Sequence, residues 1–183
     1  MSEEGQNVRF EQVALPHLGA AYNLARWLVR NDEDAEDIVQ EAFLRAFKFF
    51  GGYRGGESRT WLLTIVRNTC YSWLQRNRAR ELTDSLDETQ EDLAVDFASP
   101  ESVLMKSVDA RVVREALDGL PIEFREVMVM REMEELSYKE IALIADLPIG
   151  TVMSRLARGR KRLHSMLADR TNLKTNARGG AAS

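Results

Sequence analysis

The sequence predicts an all-α protein: two small helical domains joined by a flexible acidic linker, with a helix-turn-helix in the second domain. Three observations carry this reading. Apolar residues recur at helical spacing wherever a clear period exists, and no segment has a convincing strand pattern. Residues 81–101 hold eight acidic residues and no basic ones, and lack a sustained apolar period. The segment SYKEIALIADLPIGTVMSRLARGRKRL, Ser137 to Leu163, reads as a short helix, a tight turn and a second helix that becomes strongly basic.

The elements follow in order. The first domain is assigned to residues 1–80, with its folded part beginning near Asn7. Ala20–Val29 is apolar on one side through Leu24, Trp27 and Leu28. Asp34–Phe50 is amphipathic, with Ile38, Ala42, Phe43, Ala46 and Phe50 at helical spacing. Asp32 or Asp34 is the expected cap, and acidic residues in the first turn suit the helix dipole. Gly51–Gly56 reads as a loop, and Thr60–Arg78 is helical again through Trp61, Leu62, Ile65, Val66, Trp73 and Leu74. Residues 81–99 form the linker, with local structure expected around Leu93–Phe97. Ser99-Pro100-Glu101 has the chemistry of a helix start.

The second domain is assigned to residues 100–170. Val103–Leu120 supplies Val112, Val113, Ala116, Leu117 and Leu120, and Pro121 opens a helix carrying Phe124, Val127, Met128 and Met133. Tyr138–Asp146 places Ile141, Ala142, Ile144 and Ala145 on a mainly apolar face. Leu147-Pro148-Ile149-Gly150 breaks it, with Gly150 expected to permit the turn. Thr151 is the expected cap of the next helix, in which Val152 and Leu156 face inward. Residues 171–183, polar and rich in Gly and Ala, are expected to be disordered.

The 183 residues suffice for one large domain or two small ones, and 44% hydrophobic with 30% charged residues is an ordinary soluble composition. No apolar run approaches a membrane span, so no membrane insertion is expected. The acidic, polar start MSEEGQNVRF does not read as a secretory signal. The single cysteine, Cys70, excludes an internal disulfide and a Cys-rich zinc site. Together these point to the cytoplasm. Cys70 has apolar neighbours at helical distances, so burial is its default and a redox role has little support. His17 and His164 lack clustered ligands, and the Gly51–Gly56 segment lacks the lysine and spacing of a phosphate loop. No catalytic constellation, cofactor or metal is expected.

The net charge of −4 conceals a pattern. Residues 32–41 carry six acidic residues and no basic ones, whereas residues 42–80 carry eight basic residues and one acidic. Residues 151–170 carry six basic residues and one acidic. Screening over about 10 Å lets a basic patch attract DNA whatever the total charge. A basic helix after a turn is able to enter the major groove, where arginines read guanine edges or hold phosphates. Ser154, Arg155, Arg158 and Lys161 fall on its outward faces. In the first domain, DAEDIVQEAFLRAF (Asp34–Phe47) forms an acidic surface, and Tyr53–Arg80 interleaves basic residues with aromatics. That second pattern suits single-stranded nucleic acid, although each aromatic taken alone fits a core position.

Three motifs in order, Asp34–Phe47, Trp61–Asn68 with its basic continuation, and Leu136–Leu163, together resemble an extracytoplasmic-function sigma factor, the two-domain class of bacterial RNA polymerase sigma factors. The similarity covers about Asn7 to Leu167. It implies that the first domain binds core RNA polymerase at the clamp helices of the largest subunit through Asp37, Gln40 and Glu41. It also implies that this domain recognises and melts the −10 element. Asn68 matches the position beside the pocket for an extruded base, with Arg67, Arg76, Arg78 and Arg80 on the backbone; Asn68 alone is equally compatible with helix capping. The second domain would read the −35 element through Ser154, Arg155 and Arg158, with Thr151, Arg160 and Lys161 as phosphate partners, and would meet the polymerase flap. Promoter DNA and an anti-sigma factor are the other implied partners. Met153 and Gly159 depart from common family residues, and Gly159 is expected either to bend the recognition helix or to admit DNA closely. Two rival readings stay open: a conventional helix-turn-helix regulator binding a palindrome as a dimer, and a sigma-mimicking interaction protein.

Overall fold

Caps and turns determine where the chain folds back. The computed structural model describes residues 3–84 and 108–179, with no strand among the described residues. The first domain comprises α1 (Glu3–Ala14), α2 (Leu18–Val29), α3 (Asp32–Phe49) and α4 (Ser58–Asp84). Asn31, not Asp32 or Asp34, caps α3: its backbone is extended and its side chain accepts the Asp34 N–H at 2.9 Å. Asp32 and Asp34 lie inside the first turn, where their charges face the positive end of the helix dipole.

α2, α3 and α4 pack against one another through their small and aliphatic faces. Ala21, Leu24, Ala25 and Leu28 of α2 meet Ala35, Ile38, Val39, Ala42 and Ala46 of α3 and Leu62, Leu63 and Val66 of α4, all buried. An aromatic cluster closes one end: Phe10 of α1 meets Phe43, Phe47 and Phe50 edge-on, and Phe50 continues to Tyr53 and Trp61. Trp61 is thus a core-packing residue, as is Trp73. Cys70 is buried, and that burial pushes its thiol up to about 12, so it stays protonated at neutral pH.

The second domain comprises α5 (Val108–Asp118), α6 (Ile122–Met128), a π-helical turn (Val129–Met133), α7 (Tyr138–Ala145) and α8 (Ile149–Gly179). Two expectations are corrected at the helix-turn-helix. The turn is made by Asp146, in the left-handed region at φ 54°, while Gly150 lies inside α8. Thr151 is likewise inside α8, its N–H bonded to the Pro148 carbonyl at 3.0 Å, so it does not cap the helix. Val152 and Leu156 are buried as expected, whereas Val113 of α5 is 38% exposed. Gly159 is buried where α8 meets α6. A Cβ there would stand 3.0 Å from Met128 Cγ, so glycine permits the close crossing of α8 over α6.

The helices outrun the sequence boundaries at two places. α4 continues to Asp84, into the acidic segment, and α8 continues to Gly179, through most of the tail expected to be disordered. Long-side-chain residues favour helix once a packed helix has nucleated it. The expectations for Leu93–Phe97 and Ser99–Glu101 lie outside the described residues.

α7 starts with a reciprocal cap. Ser137 Oγ accepts the Glu140 N–H at 3.2 Å, and Glu140 accepts the Ser137 N–H at 2.7 Å. These hydrogen bonds hold the Glu140 carboxyl below its ordinary pKa. Ser137→Ala is expected to lower stability by about 1 kcal/mol, with Ser137→Thr retaining most of it, as measured by urea unfolding.

Candidate nucleic-acid interface

The residues expected to touch partners fall on three surfaces. On α3, Asp37 and Gln40 are exposed and Glu41 is half-buried. Leu44 follows seven residues after Asp37 on the same helical face and is 71% exposed. Burial, and then the neighbouring charges of Asp37 and Glu33, raise the pKa of Asp34. Glu41 is not a free carboxylate: it pairs with Arg45 one turn on and with Arg76 of α4 at 3.4 Å.

On α4, Asn68, Arg76 and Arg80 lie at multiples of four residues along one side, all exposed, and Arg78 is exposed beside them. Arg67 is different. Its guanidinium makes a two-pronged contact to the Glu126 carboxylate of α6, at 3.0 and 3.2 Å, and lies 3.9 Å over the Tyr71 ring. Burial disfavours its charge, but the hydrogen bond and charge of Glu126 outweigh that and hold its pKa above the ordinary value. Burial and the Glu126 charge likewise drive the Tyr71 hydroxyl far upward.

On α8, Ser154, Arg158, Arg160 and Lys161 are exposed. Arg160 is paired through two nitrogens with Glu132, at 2.7 and 3.1 Å. Arg158 and Lys161 line an open basic groove with Arg162 and Ser165, floored by Phe124; the Arg162 guanidinium stands 5.0 Å over that ring. Arg155 turns inward, half-buried, and reaches Glu126 at 3.8 Å. The α8 surface thus offers a basic face, with Arg155 and Arg160 held by carboxylates of the same chain.

The residues matching sigma-70 region 2 are 14–80, and those matching sigma-70 region 4 are 110–163. The chain is 35% identical to the ECF RNA polymerase sigma factor SigE of Mycolicibacterium smegmatis, over 87% of this chain and 62% of that protein's length. It is 32% identical to the RNA polymerase sigma-H factor of Pseudomonas aeruginosa, over 90% of this chain and 89% of that one. The chain belongs to the ECF sigma factor family. Sigma factors are initiation factors, not enzymes. Among solved structures, the Bartonella quintana sigma factor RpoE, in complex with the anti-sigma factor NepR, matches at 32% identity and a TM-score of 0.72, over 87% of this chain and 97% of that one. CnrH, in complex with the cytosolic domain of CnrY, matches in fold at 22% identity and a TM-score of 0.63, over 87% and 88%. No described helix is long and apolar enough to cross a membrane.

Within this sigma factor, the sequence reading missed the residues that join the two domains. Arg125 and Glu126 sit side by side on α6 and are buried. Glu134 accepts from Asn23 of α2 at 2.6 Å and from Arg59 of α4 at 3.0 Å. The signal existed in FREVMVM, where an arginine–glutamate pair interrupts an otherwise apolar run; buried charges of that kind need partners.

Proposed function

We propose that this ECF sigma factor binds core RNA polymerase and directs promoter-specific initiation in the cytoplasm, reading a −10 and a −35 element with different domains. The observation that carries this over a conventional regulator is the exposed α3 face of Asp37, Gln40 and Leu44, an acidic surface with an apolar member separate from the basic face of α8.

In this reading the α3 face, with Glu41, meets the polymerase clamp helices. Asn68 reads the melted −10 strand beside its pocket, and Arg67, Arg76, Arg78 and Arg80 hold its backbone. Ser154, Arg155 and Arg158 address −35 base edges and phosphates in the duplex, with Thr151, Arg160 and Lys161 on phosphates. The second domain approaches the flap. Regulation by an anti-sigma factor follows from the likeness to the Bartonella sigma factor.

The test is transcription by purified core polymerase over a pool of bacterial promoter DNA, with and without the chain. New transcripts sharing a pair of upstream elements are expected. Duplex binding by the chain alone, without transcripts or a stable core complex, would return the reading to an ordinary regulator.

A further inference from the structure

Among the described residues, the one carboxylate withdrawn fully from solvent, Glu126, is 0% exposed and holds an arginine from each domain. Arg67 comes from α4 and grips it with two nitrogens; Arg155 comes from α8 and stands 3.8 Å from Oε1. Tyr71 backs the Arg67 guanidinium from the other side. A second contact, at Glu134 with Asn23 and Arg59, ties the same two domains at another point. Of the two pairs at Glu126, only that with Arg67 crosses between the domains, and separating the domains would take from this buried carboxylate its hydrogen-bonded arginine, so the arrangement favours one defined closed geometry.

Under the function proposed above, Arg67 and Arg155 serve different promoter elements. Here they converge on the same carboxylate. We propose that Glu126 is an intramolecular latch that keeps the free sigma factor closed, and that DNA phosphates compete with it for Arg67 and Arg155. The carboxylate already supplies the Arg67 guanidinium with the planar, two-pronged anionic partner a phosphate would offer, and stands within ion-pair distance of Arg155. The chain therefore binds DNA through a minor open state, and its apparent affinity is reduced by the fraction of molecules that are open. Glu126 itself contacts no DNA in this scheme, so removing its charge is expected to release function rather than destroy it. The competition rests on the DNA-facing assignment of the two arginines; the closed state does not.

The test uses the full chain with fluorophores on E11C and A168C, both exposed positions, the buried Cys70 remaining unlabelled. Glu126→Gln is expected to lower energy transfer between the domains. It is also expected to raise the affinity of the free chain for a short mixed-sequence duplex by about tenfold, within the usual range of intramolecular coupling. Unchanged transfer in a folded Glu126→Gln protein overturns the latch. Lower transfer with unchanged DNA affinity overturns the competition. Should Glu126→Gln lose helicity, Glu134→Ala provides the second variant: it removes the side-chain contacts to Asn23 and Arg59, leaving the bond from Arg59 to the Glu134 backbone carbonyl, and is expected to lower transfer in part; no change there overturns the closed state. Transcription failing in wild type and variant alike, with transfer still falling, would strike the proposed function and leave the latch standing.

Discussion

Replacing Arg125 with methionine is expected to reduce stability by about 2–4 kcal/mol. Arg125 is 3% exposed, yet its guanidinium is committed to backbone carbonyls rather than to an acidic side chain. It donates to the Asp118 and Leu120 carbonyls at 3.0 and 2.8 Å and to the Leu28 carbonyl of α2 at 3.4 Å. The Asp118 carbonyl ends α5, where helical carbonyls have no partner within their own helix, and Leu120 lies two residues beyond it. One side chain therefore caps α5 and touches the other domain. Burial, and then the nearby Arg30 charge, lower its pKa to about 10, so it still carries its charge at neutral pH.

Methionine matches much of the arginine stem but donates nothing. Removing the charge relieves its desolvation, while each buried carbonyl left without a donor costs about 1–3 kcal/mol. The Asp118 carbonyl keeps its contact from Arg30 at 2.9 Å, so Leu120 bears most of the loss. Arg125→Lys is expected to recover only part of the stability, because a point ammonium does not reproduce the fork that spans these carbonyls. Urea unfolding of the two variants and wild type decides this. A methionine variant as stable as wild type would mean that packing of the stem, and not carbonyl capping, is what the site requires.

Much of the fold was legible because helical periodicity is a local property. Leu24 and Leu28, Ile38 and Ala42, and Val152 and Leu156 announce their buried faces without reference to any partner. The turn chemistry was less legible. Asp146 adopts the left-handed conformation that glycine was expected to supply, because Gly150 was close by and Asp tolerates that region less obviously. Gly159 was read as a feature of the DNA face, yet its requirement comes from Met128, which approaches from another helix. The same distinction separates the site residues. Asn68, Arg158 and Lys161 are exposed on the expected surfaces, whereas Arg67 and Arg155 lie against Glu126, an encounter across the domains that no local pattern reveals.

The second large expected effect divides labour between the domains. Arg158→Ala is expected to weaken promoter binding by the assembled holoenzyme by about 1–3 kcal/mol, the range of one arginine–guanine contact, while core polymerase binding stays unchanged. Arg158 suits this test because it is exposed on the basic groove and is not the residue that packs on Phe124, a role held by Arg162. The reciprocal variant, Asp37→Ala with Glu41→Ala, is expected to weaken core binding about tenfold or more while the second domain keeps its DNA face. Glu41 complicates the pair, since its loss also frees Arg76 for nucleic acid. Asp37→Ala with Leu44→Ala leaves that ion pair intact and removes a charge and an exposed apolar contact from the same face. If the two α3 variants behave alike, the α3 face itself carries polymerase affinity. If only the Glu41 variant loses activity, the tie between α3 and α4 is what matters, and the face is structural. Core affinity by competition with a labelled sigma factor, and promoter affinity of the holoenzyme measured separately, resolve these outcomes; loss of the same activity in Arg158→Ala and in the α3 variants would refute the division.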